Sequence, residues 1–359
     1  MHMFQKIESN GYEIEVGSLE NTSFSEFLDG YSQVKKLILV DENTHDHCLE
    51  YLLTAFNGLE DAEVMLMPCG EENKVLEVCF QVWEAWTDYK IGRKDLVINL
   101  GGGVVTDMGG FIASIYKRGI DFIHIPTSLL AMVDASVGGK TGIDLGMHKN
   151  QLGVFSNPKK VFVDAGFLTT LPNVEIKNGF AEMIKHGLIL DRKHWENLKS
   201  IDFDDKASLT ELIFESINIK NNLVKVDPFE KNERKKLNFG HTFGHAFEGF
   251  FMGEAVLLAH GHAVAIGIIA ESYISFERKL LSEANFIEIS TLICSHFEIP
   301  TFKNEWVDLI FNLMLNDKKN FDEKVQCVLL SDIGECIVDQ PIYKKDLMLV
   351  MDLFANLNS

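Results

Sequence analysis

From Lys36 onward, short apolar runs alternate with stretches whose apolar residues recur every three or four positions. LILVDEN, EVMLMP and DLVINL have strand length, and helical patterns lie between them, one running to about Phe56 and the next starting at Lys74. Unbroken apolar runs mark strands buried on both faces, and their alternation with helices is the rhythm of a covered parallel sheet. VFVDAGFLTTLP supplies a further strand and a proline-stopped turn. Beyond Pro172 the rhythm changes. Helical patterns follow one another over Val174–Leu190, Lys206–Val226, the histidine segment, His260–Lys279, Glu283–Phe297 and Asn304–Leu315. VQCVLLSDIGECIVD then reads as a hairpin, before a last helix. The pattern predicts a parallel-sheet α/β domain over residues 1–171 and a mainly helical domain over 172–359.

Gly101, Gly102 and Gly103 follow the strand DLVINL and precede the helix-like VVTDMGGFIAS. A nucleotide pyrophosphate meets a helix N-terminus at such a place in Rossmann-like sheets. The run is not GxGxxG, and a tight turn uses glycine for its own reasons, so both readings stand. Asp41, at the end of the first strand, is placed to reach a ribose hydroxyl or to cap the next helix. LLAMVDASVGGKTGIDLGMHKNQLGVF reads as a glycine-rich loop carrying Asp134, Lys140, Lys149 and Asn150. Lysines there are solvated unless a ligand recruits them.

Leu237–Gly267 holds His241, His245, His260 and His262 in an otherwise apolar stretch. If the chain before Gly253 is helical, Arg234, Asn238, His241 and His245 share one face at i, i+4, i+7 and i+11. That periodicity ordinarily marks a core stripe, and a polar, basic stripe points instead to a wet cleft. Imidazole is the commonest metal ligand and zinc accepts nitrogen and carboxylate oxygen alike. The best third ligand is Glu182 in GFAEMIKHGLI, with Lys185 one turn along.

Six scattered cysteines with no CxxC pair argue against a disulfide framework and a thiolate metal site, so any zinc is expected to use His and carboxylate. A formal net charge of -20 repels nucleic acid, while leaving room for a small anionic substrate wherever Lys and Arg converge. No apolar run is long enough for a membrane helix, and MHMFQKIESN lacks a signal-peptide core. A cytoplasmic location is the expectation.

Five blocks, GGGVVTDMGGF, IPTSLLAMVDASVGGKTG, GFAEMIKHGLI, RKKLNFGHTFGHAFE and HGHAVAIG, resemble 3-dehydroquinate synthase in content and order, from about Cys69 to Lys319. The resemblance implies a Rossmann-like NAD-binding domain, a helical metal- and substrate-binding domain, and a requirement for NAD with zinc or cobalt. The implied activity is that of a lyase of the shikimate pathway, which feeds aromatic amino acid biosynthesis. Its substrate would be 3-deoxy-D-arabino-heptulosonate 7-phosphate, an anionic sugar phosphate. Transient oxidation, phosphate elimination, re-reduction and aldol closure would give 3-dehydroquinate.

Residue by residue, the resemblance gives Glu71, Lys74, Gly102, Gly103, Val104, Asp107, Thr127, Ser128, Lys140, Lys149, Asn150, Phe167, Leu168, Thr169 and Thr170 to the cofactor, alongside Asp41. It gives Glu182, His241 and His260 to the metal. His262 lies two residues from His260, about 200° round a helix, so both cannot hold one ion. Asp134, Lys140, Lys185, Lys220, Arg234, Asn238, His245 and Lys318 go to substrate and catalysis. Arg118 matches a residue that reaches the neighbouring subunit's substrate, which implies a homodimer. Two departures stand out: His262 replaces the family's usual Glu and would tune the metal from outside its ligands, and GIDLGMHKN replaces GVNHPLGKN. Rival readings are another sugar phosphate cyclase, such as 2-deoxy-scyllo-inosose synthase, and a metal-dependent polyol dehydrogenase, which would accumulate NADH.

Overall fold

The apolar runs LILV and LVINL lie side by side within a seven-stranded sheet in the computed structural model, which describes residues 4–146, 148–253, 258–316 and 325–357. In chain order the strands of this part are β1 (Gln5–Glu8), β2 (Glu13–Val16), β3 (Lys36–Asp41), β4 (Glu63–Met67), β5 (Leu96–Gly101), β6 (Asp121–Pro126), β7 (Lys140–Leu145), β8 (His148–Phe155) and β9 (Lys160–Val163). The sheet order is β1-β2-β9-β6-β5-β3-β4. Every neighbouring pair is parallel except the β1–β2 hairpin. Leu37, Leu39 and Val97 pack against Trp86, Met108, Phe111 and Ile112 of the helices Leu76–Asp88 and Gly103–Ile115. Ile38, Val40 and Ile98, which point the other way, are buried too. Burial of both faces explains why these strands read as unbroken apolar runs.

Strand β3 has β4 on one side and β5 on the other, so the winding reverses between β3 and β5. Doubly wound sheets bind ligands outside the carboxyl ends of strands at such a switch point. Asp41 ends β3 and Gly101 ends β5.

The chain divides into two compact units, Met1–Ile176 with Asp202–Pro228, and Lys177–Ile201 with Phe229–Ser359. This differs from a single cut at residue 171, because the helix Lys206–Val226 groups with the first unit. Its polar side chains find their partners there. Asn221 donates to the Glu8 carbonyl at 2.8 Å, and Lys220 donates to Asp134. The stretch expected as a loop from Lys140 to Phe155 is instead the antiparallel hairpin β7–β8. Glycines at 142 and 153 face each other there and hide the alternation that would announce strands. The β1–β2 hairpin lay in a stretch with no predicted element, since four-residue strands carry almost no periodic signal.

In the second unit the helices include Arg192–Leu198, His241–Gly253, His260–Glu277, Glu283–His296, Val307–Asn316 and Lys344–Leu357, with the hairpin β10 (Val325–Asp332) and β11 (Glu335–Ile342). The face expected to run from Arg234 to His245 on one helix is broken. Glu233–Asn238 is a 3₁₀ turn, Phe239 is not helical, and Gly240 takes φ +79°, a left-handed value that favours glycine. His241 then starts a new helix. That helix crosses His260–Glu277 so closely that a Cβ on Gly267 would come within 1.9 Å of the Gly240 carbonyl oxygen. Glu271 accepts the Gly240 N–H at 2.8 Å and holds the crossing. Among the described residues no helix is long and apolar enough to cross a membrane.

Two predictions follow from packing. Gly267→Ala has no space to relax into, and overpacking of this kind costs about 1–3 kcal/mol. A clear fall in melting temperature is expected, and an unchanged melt would contradict the crossing. His124 on β6 is buried, 3.2 Å from Asn99, and burial lowers its pKa from the ordinary 6.5 to about 3. The unfolded chain therefore takes up this proton near pH 6.5, whereas the folded chain resists until about pH 3. Stability should fall as pH drops through that window, by about 1.4 kcal/mol for each unit. Urea titrations at several pH values should show a flatter slope in His124→Gln, and an identical slope would refute the assignment.

Candidate metal and cofactor sites

Three helices bring the predicted ligands together, and all three ligands belong to the second unit. On Asn173–Leu190, Asn178 accepts the Gly261 N–H at 3.1 Å, pinning the start of the helix that carries His260. One turn further on, Glu182 is wholly buried. Ligand atoms of Glu182, His241 and His260 all lie within 4.8 Å of one another. His241 Nε2 is 3.6 Å and His260 Nε2 3.7 Å from the same oxygen, Glu182 Oε1. Two bonds of about 2.1 Å at a tetrahedral angle separate their ligand atoms by about 3.4 Å, so the trio fits a divalent ion after small adjustments. Lys185 Nζ contacts Glu182 Oε2 as an ion pair, which leaves Oε1 facing the two imidazoles.

Electrostatics follow from burial. Desolvation alone would push the Glu182 carboxyl up, but Lys185 and His260 hold it well below the usual carboxylate range. Burial opposes charge on His260, yet Glu182 and Glu248 raise its pKa to about 9. A metal ion at Nε2 would displace that proton.

The ring of His245 stands 5.2 Å from that of His241 and 5.9 Å from that of His260, beside the ligand trio. His262 does not approach the trio in any described contact. Its Nε2 lies 2.5 Å from the Glu298 carbonyl and its ring faces Phe297. Arg234 is buried in its 3₁₀ turn, and Asn238 donates to Glu230 at 2.9 Å. Lys318 and Lys319 lie outside the described residues. Glu248 went unassigned from sequence although its Oε2 stands 3.5 Å from His260 Nδ1. The available signal was its spacing, i+7 from His241 and i+3 from His245 on one helical face.

In the first unit, Gly102 precedes the helix Gly103–Ile115 in extended backbone, and neither Gly102 nor Gly103 has a positive φ. A Cβ at Gly102 would meet Ser128 Oγ at 3.4 Å, and one at Gly103 would meet Ala135 at 3.5 Å, both ordinary contacts. The turn therefore does not require glycine at these two positions, and their bare backbone leaves room for close approach at the helix start. Val104 and Asp107 lie on the same helix. Thr127 and Ser128 follow β6, and Thr127 donates its N–H to the Gly101 carbonyl. Lys74 is buried, donating to Asp107 at 2.7 Å and Asn150 at 2.8 Å, with Glu71 at 3.8 Å. Burial works against its charge, but Asp107 and Glu71 keep its pKa above the ordinary value. Asn150, at φ +52°, accepts from Lys74 through its side chain and donates its own N–H to Asp144. Lys149 precedes it on β8, and Lys140 opens β7 as an exposed residue.

Asp41 spends one carboxylate oxygen on a capping box with Thr44, so its capping reading is realised. Phe167, Leu168, Thr169 and Thr170 form the 3₁₀ turn Ala165–Thr170 after β9, the first two buried and the threonines exposed. Lys220 donates to both Oδ1 and the main-chain oxygen of Asp134 at 2.5 Å. Arg118 is exposed at φ +69°, in a shallow cavity with Asp121, Asn157 and Lys159.

Comparison with known proteins agrees with this geometry. Models of the N-terminal and C-terminal parts of 3-dehydroquinate synthase match residues 64–178 and 179–320. The 3-dehydroquinate synthase of Parabacteroides distasonis is 37% identical over 335 residues, 93% of this chain and 95% of that protein. That of Campylobacter jejuni subsp. doylei is 35% identical over 99% of this chain and 100% of its own length. Among solved structures, 2-epi-5-epi-valiolone synthase from Streptomyces hygroscopicus subsp. jinggangensis, with NAD+ and Zn2+ bound, is 25% identical and superposes with a TM-score of 0.84 over 98% of both chains. With its sheet, its ligand trio and its relatives in agreement, the chain belongs to the 3-dehydroquinate synthase family.

Proposed function

We propose that this enzyme converts 3-deoxy-D-arabino-heptulosonate 7-phosphate to 3-dehydroquinate and phosphate, as a carbon–oxygen lyase that uses NAD catalytically together with a zinc or cobalt ion. The observation that carries the reading is the convergence of Glu182, His241 and His260 in a chain whose relatives are named for this activity. The valiolone synthase structure has NAD+ and Zn2+ bound, and the same pair is proposed here. When bound, NAD supplies a reversible hydride acceptor and the metal a Lewis acid for an alcohol oxygen.

The chain's own residues take the remaining work. Bare backbone at Gly102 and Gly103, at the N-terminus of the helix Gly103–Ile115, offers N–H groups to a pyrophosphate. Lys74 ties Asp107 to Asn150 and so holds the neighbouring hairpin in place for the cofactor. In the second unit, Lys185 and Arg234 are buried cations suited to anionic substrate groups, and Asn238 adds a polar contact. In the first unit, the Asp134–Lys220 pair combines a proton acceptor with a cation. His245, beside two ligand imidazoles, is the second candidate for moving protons, and the leaving phosphate can itself act as base. Arg118 supports a homodimer in which it serves the partner's substrate.

Phosphate release and cofactor state test the reaction class. Sub-stoichiometric NAD should support many equivalents of inorganic phosphate from the heptulosonate while NADH absorbance stays flat. Stoichiometric NADH without phosphate would reject the cyclase and leave a polyol dehydrogenase. Chelation should abolish turnover and zinc restore it, and full activity of metal-free protein would refute the metal assignment. Arg234→Ala, by leaving a substrate anion unpaired, should remove about 2–5 kcal/mol, a loss of roughly 30- to several thousand-fold in kcat/KM.

A further inference from the structure

Each ligand histidine presents Nε2 to Glu182, and each has a different acceptor behind it. His241 Nδ1 lies 3.2 Å from the Phe239 carbonyl, a neutral acceptor. His260 Nδ1 lies 3.5 Å from Glu248 Oε2, a carboxylate that is nearly buried. Glu248 does not sit there by chance of a mobile side chain. Its helix is held along one face, because Phe247 packs on Phe302 and Phe354 while Phe251 packs on Phe302 and Trp306.

We infer that Glu248 is a positioning residue of the metal site: it accepts the Nδ1 proton of His260, fixes the tautomer that leaves Nε2 for the ion, and makes this imidazole the more electron-rich of the two. The inference rests on the metal site proposed above. A carboxylate behind a ligand imidazole orients the ring and raises its basicity, and removing such partners typically costs about 10- to 100-fold in metal affinity. The backbone carbonyl behind His241 cannot be removed by mutation, so Glu248 is the adjustable one of the pair. It touches neither substrate nor cofactor in this role.

The test is metal binding to the full chain, read without turnover. Zinc affinity by competition with a chromophoric chelator should fall about 10- to 100-fold in Glu248→Gln, and the visible spectrum of the cobalt-loaded variant should shift from that of the wild type. Zinc bound as tightly as by the wild type, with a superimposable cobalt spectrum, would overturn the inference while leaving the metal site intact. Wild-type protein that takes up neither ion would remove the metal site itself and this role with it. A readout on unmodified protein guards against misfolding of the variant. In the histidine ¹H–¹⁵N spectrum of zinc-loaded wild type, His260 should carry its proton on Nδ1, at low field and slow to exchange. A His260 proton on Nε2, or a freely exchanging one on Nδ1, would refute the assignment.

Discussion

A carboxylate with no exposure to water is the constraint to which the second unit conforms. An isolated buried carboxylate is costly unless cations surround it. Glu182 meets that requirement with Lys185 on its own helix and with imidazoles on two others. Bringing three helices that close demands small residues at the crossings. Gly267 lets the Gly240 carbonyl through, and Gly261 lies against the Asn178 backbone. Stability and chemistry are thus coupled: the contacts that let the helices touch also set the distances between the ligand atoms.

The first unit solves a different problem with similar means. In a chain with a formal net charge of -20, the buried lysines of this unit are paired with acids one at a time. Lys74 is balanced by Asp107, and Lys220 by Asp134. Each pair holds its cation in one place, and a cation already ordered costs less to engage than a free side chain would. The switch point between β3 and β5 adds backbone N–H groups at a helix start, which need no side chain at all.

Much of this was legible in the sequence where burial or chemistry leaves a local mark. LILV and LVINL announced a two-faced core, and histidines next to glycines in an apolar stretch announced a site. The β7–β8 hairpin was illegible because Gly142 and Gly153 stand where alternating side chains would. The break before His241 was hidden for a related reason: the i, i+4, i+7 spacing holds on paper, while Gly240 redirects the backbone. The grouping of Lys206–Val226 depends on Glu8 and Asp134, far away in sequence, which no window around the helix could reveal. Glu248 is one of 53 acidic residues, and its helical spacing from His241 and His245 gains meaning only once its distance to His260 Nδ1 is known.

The central claim is that a hydride leaves the substrate and returns to it within one turnover, inside a site whose metal ligands are Glu182, His241 and His260. The most direct measurement follows a deuterium placed on the carbinol carbon that is oxidised, with excess unlabelled NADH in solution. Full retention of the label at the same carbon of 3-dehydroquinate is the expected result. Loss of deuterium to the free NADH pool, or an unlabelled product, would contradict it.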